Sequence, residues 1–321
     1  MNGQQEGGTV LVTGAAGFVG SHLCDRLLAE GRRVVGIDDL SSGKIANLAE
    51  ARSYGKQFGF DHLDIRAEGL HSLFDRHRPE VVMHLAAQAS VSVSTKDPLF
   101  DADVNVLGTL NVLQCAVRSE TRKIVYAASG GTVYGEPRRL PAKETGATGS
   151  HPTSPYGLSK KAAGEYLHLF ERLKAIEHTQ LALANVYGPR QDPHGEAGVI
   201  AIWSSLMLAE EVCTINGDGN QTRDFVFVAD TVDAFSRAID RGSGRLINVG
   251  TGLETSVNHL YRMLAEICGH DHEPEFGPVP PGEVRRIALD NGLAEQELGW
   301  KPWTHLEDGL RETVAYLRGG S

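Results

Sequence analysis

The 321-residue sequence predicts an α/β protein built on a doubly wound parallel sheet. Two observations lead to this fold class. Short apolar, β-branched runs alternate with longer helical patterns through the first half of the chain, and a glycine-rich turn joins the first run to the first helix. From about Ala184 the pattern loosens, which indicates a smaller, mixed α/β region.

The composition excludes several classes of protein. Apolar residues make up 41% and charged residues 22% of the chain, as in soluble globular proteins. The net charge of −10, without a dense basic run, argues against binding nucleic acid. No apolar run reaches membrane-spanning length, and the polar start lacks the apolar core of a signal peptide. We therefore expect a cytoplasmic protein without membrane or nucleic-acid partners.

The cysteines and histidines predict no metal site. Cys24, Cys115, Cys213 and Cys268 lack metal-ligand spacing, so four reduced thiols are the simplest interpretation. The "HDH" stretch at 270–272 has no third ligand nearby and is interpreted as a solvated loop.

The first strand, helix and second strand form a pattern typical of dinucleotide binding. A predicted strand at 9–13 runs into "GAAGFVG" (14–20), a helical pattern follows, and a second strand at 34–37 ends at Asp38. Glycines permit a tight turn and close approach of a pyrophosphate, and a helix N-terminus offers N–H groups to phosphates. An acid at this position binds ribose hydroxyls and favours NAD over NADP. The predicted contacts are Gly14, Gly17, Phe18, Val19 and Asp38.

Further strands are predicted at 60–65, 80–87 and 123–129, with a helix over about 98–117. Ligands of such sheets bind at the carboxyl ends of the strands. The residues predicted there to contact the cofactor are Asp64, Ile65, Leu85, Ala86, Ala87 and Gln88. For Asp64, an ordinary strand-end aspartate remains an alternative.

The stretch "SPYGLSK" (154–160) places Tyr156 and Lys160 one turn apart if it is helical. An ammonium group near a phenol favours the phenolate and lowers its pKa, which would give a proton acceptor near neutral pH. By itself this spacing favours an ordinary surface helix with an incidental Tyr and Lys, because the chain has eight tyrosines.

Several motifs in order resemble one family. "VTGAAGFVGSHL", "HLAAQ", "YAASGGTVYGE", "SPYGLSK", "NVYGPRQDPHG", "GDGNQTRDFVFV" and "NVGTG" are similar to motifs of extended short-chain dehydrogenases/reductases, in particular the nucleotide-sugar epimerases and dehydratases. The nearest resemblance is to bacterial UDP-glucose 4-epimerases. It extends from Val10 to about Leu317 and implies a Rossmann-type NAD-binding domain at 9–183. The region 184–318 would mainly bind the nucleotide sugar, with some segments returning to the first domain.

The resemblance implies a reaction. Tyr156 would accept the proton of the sugar O4 while the C4 hydride moves to NAD, giving a transient 4-keto sugar. Lys160 would hold the nicotinamide ribose, and its charge, with that of NAD⁺, would lower the Tyr156 pKa. Helices near 98–117 and 156–173 form the dimer interface of such proteins, so we expect a homodimer.

The sequence departs from this family at the tract Ala128-Ser129-Gly130-Gly131-Thr132. The family usually carries a Ser or Thr at the position of Gly130, where it bonds the sugar O4. If the tract is extended, Thr132 projects to the same side. We therefore predict Thr132 as the hydroxyl donor and Ser129 as the second choice, the alternative being a water molecule.

The same tract bears on the reaction. Dehydratases of this family carry an Asp-Glu pair where this chain has Gly131 and Thr132, which disfavours 4,6-dehydration. Uronate 4-epimerases usually carry an Arg where this chain has Asp192, which favours a neutral hexose. UDP-glucose and UDP-galactose are the expected substrates. UDP-N-acetylhexosamines, UDP-glucuronate, other nucleotide sugars, or a dehydratase or oxidoreductase activity remain alternatives.

The second half implies further substrate contacts. By resemblance these are Asn185, Val199, Arg223 and Arg285, in addition to Ser129, Gly130 and Thr132. Asn216 stands where an aromatic residue commonly lies near uracil, and Pro280 where an arginine binds the diphosphate, so the base stays open. Arg285 or Arg286 would compensate for the missing arginine. Ile287 lies near the position that gates 2-N-acetyl sugars. Arg223 is alternatively a surface residue paired with Asp224.

Overall fold

The computed structural model describes residues 8–193, 198–279 and 284–319. In these residues the strands are β1 (Val10–Thr13), β2 (Val34–Asp38), β3 (Phe58–His62), β4 (Val81–His84), β5 (Lys123–Ser129), β6 (Glu177–Leu183), β7 (Asn185–Tyr187), β8 (Thr214–Asn216), β9 (Thr222–Arg223), β10 (Phe225–Phe227), β11 (Arg245–Val249), β12 (Thr255–Ser256) and β13 (Glu275–Gly277). The α-helices are α1 (Phe18–Ala29), α2 (Ala49–Ser53), α3 (Gly69–His77), α4 (Val91–Lys96), α5 (Pro98–Ala102), α6 (Gly108–Arg118), α7 (Pro155–Lys174), α8 (Val199–Leu208), α9 (Val228–Ala238), α10 (Val257–Cys268), α11 (Gly292–Leu298) and α12 (Leu306–Arg318).

A parallel sheet of seven strands forms the centre, in the order β11-β6-β5-β4-β1-β2-β3. β1 lies between β2 and β4, since Val10 aligns with Val34 on one side and Val81 on the other. The four residues of β1 and of β4 are buried, as expected for strands covered on both faces by helices. Val10 and Val12 pack into one core and Leu11 into the other, which follows from strand alternation. The predicted fold class is confirmed.

Three elements differ from the sequence prediction, and one of them is β4, which ends at His84 and not at residue 87. β3 ends at His62, not at residue 65, because the Asp64 carboxylate accepts a hydrogen bond from the Arg66 N–H and closes a local turn. The helix predicted over 98–117 is divided into α5 and α6 by a π-helical segment, Asp103–Leu107.

Residues beyond Leu183 contribute to both parts of the molecule. β11 extends the central sheet beside β6, whereas β7/β10, β9/β12 and β8/β13 form separate two-stranded sheets. The division at residue 183/184 into two regions stays a prediction. Within the described ranges, none of the helices has the length and apolar character needed to cross a membrane.

Candidate active site

The turn between β1 and α1 is shaped to receive a ligand against its backbone. Gly14 has a φ of +70°, and a Cβ at this position would stand 2.9 Å from the Ala86 backbone N. At Gly20, a Cβ would stand 2.0 Å from the Gly14 carbonyl O, so α1 lies directly on the turn. α1 begins at Phe18, with Val19 next, and the N-cap residue Gly17 provides no side-chain cap for its first N–H groups. Those N–H groups can therefore meet phosphate oxygens.

Asp38 is buried at the carboxyl end of β2, beside this turn. Its Oδ2 accepts the Ala16 N–H at 2.9 Å and its Oδ1 accepts the Leu40 N–H at 2.8 Å. Burial raises the pKa of the carboxyl, and these backbone donors oppose that rise. A carboxylate held in this way keeps lone pairs for two ribose hydroxyls, so the residues present fit a dinucleotide.

The end of β4 completes the predicted cofactor wall. The N–H groups of Leu85 and Ala86 donate to Thr13 Oγ1 at 3.1 and 3.0 Å, and this holds the segment before Ala87 against the first turn. The Gln88 side chain donates to Asp101 Oδ1 at 2.8 Å and fixes the neighbouring loop.

The two residues predicted after β3 have other contacts. The Asp64 carboxylate bonds Arg66, with an Nη2–Oδ2 distance of 2.6 Å, and this lowers the Asp64 pKa. Ile65 is buried, and its carbonyl accepts the Asn111 amide at 2.7 Å. The structure therefore favours the strand-end interpretation of the Asp64 side chain.

Tyr156 lies in the first turn of α7, which Ser154 caps by accepting the Gly157 N–H at 3.2 Å. The phenol is hydrogen-bonded to the hydroxyl of Ser129, the last residue of β5. Burial raises the pKa of Tyr156 to about 12, while the Ser129 hydrogen bond acts in the opposite direction. The helix that carries the predicted base is thus aligned on the carboxyl end of a central strand.

Lys160 lies one turn further along α7 and is 4% exposed. Its Nζ donates to the Ala127 carbonyl of β5 at 3.0 Å and stands 4.9 Å from the centre of the Tyr126 ring. Burial lowers the pKa of Lys160 to about 8, and the charge of Asp101 partly restores it. In the protein alone, burial outweighs the opposing hydrogen bond and raises the Tyr156 pKa. The lowering was predicted for the state with NAD⁺ bound and stays a prediction.

The surroundings of Lys160 include residues that the sequence reasoning missed. Asp101 is buried, and its Oδ1 accepts the amides of Gln88 and Asn105. The Asn105 amide also donates to Ser159 Oγ at 3.1 Å and to the Gln88 carbonyl at 3.0 Å. The available signal for Asp101 was an acid within the predicted helix at 98–117, although Asp103 carries the same signal and is not buried. This network positions α7 against the end of β4.

The tract after β5 is not extended, and this corrects the prediction for Thr132. The N–H groups of Thr132 and Val133 both return to the Ser129 carbonyl, at 3.3 and 3.0 Å, so the chain turns at once. The Cβ of Thr132 packs against Gly157, and its Oγ1 is buried without a hydrogen-bond partner among the described residues. Ser129, the second choice, is the hydroxyl that meets Tyr156.

Gly130 is tightly packed. A Cβ there would stand 2.3 Å from Leu289 Cδ1 and 3.0 Å from the Leu183 carbonyl O. A serine or threonine at 130 would therefore collide with its neighbours in this backbone arrangement. At Gly131, by contrast, a Cβ would meet only Asn185 Oδ1, at 3.9 Å. Asn185 thus lies beside the tract, and its contact with the substrate stays a prediction.

An open cleft of about 510 Å³ is lined by Glu136, Pro137, Arg138, Leu140, Glu254, Arg285 and Arg286. Arg285 makes a two-pronged ion pair with Asp218, at 2.9 and 2.8 Å, which lowers the Asp218 pKa. Arg286 Nε donates to Glu254 at 2.8 Å. Of the three arginines that line this cleft, Arg285 and Arg286 are each held by an acidic side chain.

The other predicted substrate residues are distributed around this region. Arg223 Nη1 donates to the carbonyls of Thr222 and Val284, both at 2.8 Å. Asn216 is exposed, and Val199 is the first residue of α8. Ile287 is buried in a small apolar cluster with Leu289, and Pro280 lies outside the described residues.

Asp192, which stands where uronate 4-epimerases usually carry an arginine, pairs with a lysine. Its Oδ1 lies 3.2 Å from Lys44 Nζ, and the Lys44 N–H donates to the Ala16 carbonyl of the first glycine-rich turn. The Asp192 carboxylate therefore faces the predicted cofactor side.

Comparison with known proteins identifies the family. The sequence model described as GDP-mannose 4,6 dehydratase matches residues 11–313. The chain belongs to this family of nucleotide-sugar epimerases and dehydratases. The UDP-glucose 4-epimerase of Mycolicibacterium smegmatis is 49% identical over 312 residues, which cover 97% of this chain and 99% of that protein.

Solved structures agree with this assignment. The UDP-glucose 4-epimerase of Thermotoga maritima, with UDP-glucose, has a TM-score of 0.93 and 43% identity over 97% of this chain and 99% of that one. The Thermus thermophilus UDP-glucose 4-epimerase, in complex with NAD, has a TM-score of 0.90 and 39% identity over 98% of this chain and 100% of that one.

The fold alone leaves the substrate open within this family. A UDP-N-acetylglucosamine 4-epimerase of Methanobrevibacter ruminantium has a TM-score of 0.91 at 30% identity, over 99% of this chain and 100% of that one. The dTDP-glucose 4,6-dehydratase DesIV of Streptomyces venezuelae has a TM-score of 0.91 at 29% identity, over 97% of both chains. The substrate must therefore be argued from residues in the site.

Proposed function

We propose that this protein is an NAD-dependent nucleotide-sugar 4-epimerase acting on UDP-glucose and UDP-galactose. The observation that carries the proposal is the hydrogen bond between Ser129 and Tyr156, made at the carboxyl end of β5. It places a hydroxyl donor and a proton acceptor together at the edge of the sheet that also carries Gly14 and Asp38. The Thermus relative is a complex with NAD, which supports the same cofactor here.

The cofactor is NAD, as predicted. Asp38 would hold the adenosine ribose through its hydroxyls, and its negative charge would repel the 2′-phosphate of NADP. The N-terminus of α1 would bind the pyrophosphate. When bound, NAD supplies a nicotinamide that accepts hydride from the sugar C4 and returns it.

Residues of the chain itself would transfer the proton of the sugar O4. Tyr156 accepts the proton of the sugar O4 and later returns it, and Ser129 holds that oxygen in hydrogen-bond range of the phenol. Because burial places the Tyr156 pKa at about 12, the phenolate needs positive charge beside it. Lys160 supplies part of that charge, because its ammonium group donates a hydrogen bond to the Ala127 carbonyl near the end of β5.

The substrate assignment rests first on the residues that stand where dehydratases of the family carry their catalytic acid and base. Gly131 and Thr132 provide no acid and no carboxylate base, so elimination of water from a hexose lacks its catalysts. The Thermotoga relative, crystallised with UDP-glucose, supports the uridine sugar. In this chain Arg285 would exchange Asp218 for a phosphate oxygen, because both are anions that match its planar fork.

We also infer a homodimer. Exposed apolar side chains lie on α5, the π-helical segment and α7, namely Leu99, Leu107, Leu158, Leu169 and Leu173. Apolar surface grouped on adjacent helices is typical of an interface between copies.

The decisive experiment is an assay with UDP-galactose, in which UDP-glucose is quantified by chromatography. We expect interconversion in both directions without added NAD, and NAD rather than NADP released when the purified enzyme is denatured. Tyr156→Phe should reduce turnover at least 10²-fold while NAD content is unchanged, since one oxygen is lost and packing is kept.

A 4-keto-6-deoxy product would contradict the proposal and indicate a dehydratase, and stoichiometric release of NADH would indicate an oxidoreductase. If Tyr156→Phe retains wild-type turnover, Tyr156 is not the base. UDP-N-acetylglucosamine, UDP-glucuronate and other nucleotide sugars tested in parallel decide the substrate.

A further inference from the structure

Three side chains that commonly bind metal ions meet at the end of the sheet opposite the candidate active site. His168 and Glu171 lie one turn apart on α7, and His178 lies near the start of β6. One ligand atom from each residue lies within 4.8 Å of those of the other two. The imidazole rings of His168 and His178 are 4.5 Å apart and nearly perpendicular, at 89°. This group is called the His168 cluster below.

His178 gives the independent indication of a ligand in the His168 cluster. Its side chain is 1% exposed, and neither ring nitrogen has a hydrogen-bond partner among the described residues. A neutral imidazole carries one donor and one acceptor, and burying both without partners is unfavourable. Nδ1 nevertheless faces Glu171 Oε2 at 3.4 Å, too far for a strong hydrogen bond to form. A cation between His178 Nδ1 and Glu171 Oε2 would be bound by both of these atoms.

The 3.4 Å separation matches a metal site. Ligands bound tetrahedrally at about 2.0–2.1 Å, as in zinc sites, lie roughly 3.3 Å from each other. His178 and Glu171 already have this spacing, and a ligand atom of His168 lies within 4.8 Å of theirs. His168 and Glu171 are partly exposed, which leaves a path for the ion and a position for a water ligand.

The electrostatic surroundings permit such an ion. The Glu171 carboxylate would supply negative charge to the ion, and Lys123 is a positively charged group near His178. Lys123 opposes an added cation, but its Nζ donates to the Arg241 carbonyl and to Ser243 Oγ, and the charges of Glu171 and Glu177 act on it.

We propose that His168, Glu171 and His178 bind one divalent transition-metal ion of the zinc class, which ties the C-terminal half of α7 to β6. Two imidazoles and a carboxylate are ligands that zinc accepts. The site is structural, because twelve residues of α7, about 18 Å of helix, separate His168 from Tyr156. No local spacing indicated this site, since the third ligand comes from a different element.

The test uses the full chain without a polyhistidine tag, stripped with chelator and titrated with Zn²⁺ in a calorimeter. We expect one ion per chain and a higher Tm in its presence. Co²⁺ bound in place of Zn²⁺ should show the visible absorption bands of a low-coordinate, near-tetrahedral site. His168→Gln and Glu171→Gln should each weaken binding at least tenfold. Both residues are partly exposed, so these variants should fold, and circular dichroism and NAD content verify this.

A matched control is His259→Gln, since His259 is exposed on α10 and belongs to no group of three metal-binding side chains among the described residues. This variant should bind Zn²⁺ as the wild type does. The proposal is overturned if no stoichiometric binding occurs, or if His168→Gln and Glu171→Gln bind like the wild type, which would place the ion elsewhere, for instance on thiols. His178→Gln is a third variant, and the two partly exposed positions decide the outcome if it misfolds.

Discussion

The phenol of Tyr156 meets the hydroxyl of Ser129 because β5 ends at that serine and the chain turns immediately after it. The turn directs Thr132 against Gly157, where its Oγ1 is buried without a partner among the described residues. Two hydroxyls three residues apart therefore have different roles. The Ser129 hydroxyl is hydrogen-bonded to the predicted base, Tyr156, and Thr132 packs at the start of α7.

This difference predicts the order of two substitutions. Ser129→Ala should lower kcat about 10²-fold or more, because it removes the group that holds the sugar oxygen near the phenol. Thr132→Val keeps the shape and removes a hydroxyl that makes no hydrogen bond within the described part of the chain, so kcat should change less than about tenfold. Steady-state assays of both variants with the same UDP-sugar measure this. If Thr132→Val lowers kcat strongly and Ser129→Ala leaves kcat unchanged, Thr132 is the hydroxyl donor.

The residue scale also shows what the sequence could predict. The position of Tyr156 and Lys160 one turn apart on a helix, and of Asp38 at the end of a strand, could be predicted because both are local features of the sequence. The Thr132 prediction failed because it assumed that the strand continues. Whether a segment after a strand is extended or turned depends on packing by distant residues, here Leu289 and the Leu183 carbonyl against Gly130. No local pattern contains that contact.

At the scale of elements, α7 buries the charged side chain of Lys160 against the central sheet. Lys160 is 4% exposed beneath the end of β5, and burial lowers its pKa from the ordinary 10.5 to about 8. Between these two pH values the unfolded chain holds more protons than the folded one, so stability rises with pH in that window. Below about pH 8 both states are protonated, and burial of the charge has its full cost.

Lys160→Met should therefore separate stability from activity. The pKa difference corresponds to at most about 3 kcal/mol, so at about pH 7 the NAD-free variant should unfold at the same temperature as the wild type or higher. This advantage should shrink toward about pH 10, as the wild-type lysine loses its proton. Turnover should fall at least about 10²-fold. Thermal unfolding at several pH values, beside the epimerase assay, measures both. A large loss of Tm near neutral pH would mean that the ammonium stabilises the fold.

The element scale shows a second limit of sequence reasoning. The buried strands were predicted well because each is a short apolar run bounded by polar residues. The interruption between α5 and α6 was missed, since residues 98–117 carry a continuous helical pattern. The π-helical segment brings Asn105 to the amide of Gln88 and the hydroxyl of Ser159, which are contacts across elements. Such contacts decide local geometry without altering the periodicity.

At the scale of the whole molecule, the exposed apolar side chains are unevenly distributed. Leu99 is 82% and Leu173 65% exposed, and both lie on helices at one side of the sheet. Helices α5 and α7 are in contact, so their outer faces adjoin. A second copy of the chain covering this surface would use the same residues on both subunits, as in a two-fold dimer.

The proposed dimer predicts a specific change of mass. The wild type should elute at twice the 34.6 kDa of the chain when mass is measured by light scattering. The double variant Leu107→Glu/Leu169→Glu should be a monomer, because each interface would then bury unpaired charges at a large cost in free energy. Leu253→Glu is the control, since Leu253 is 69% exposed but lies outside these helices, and it should stay dimeric. A monomeric wild type at micromolar concentration, or a double variant that stays dimeric, would place the interface elsewhere or remove it. Because Tyr156 and Lys160 lie on α7, a monomer that keeps its NAD but loses turnover would show that the partner subunit holds this helix in its active position.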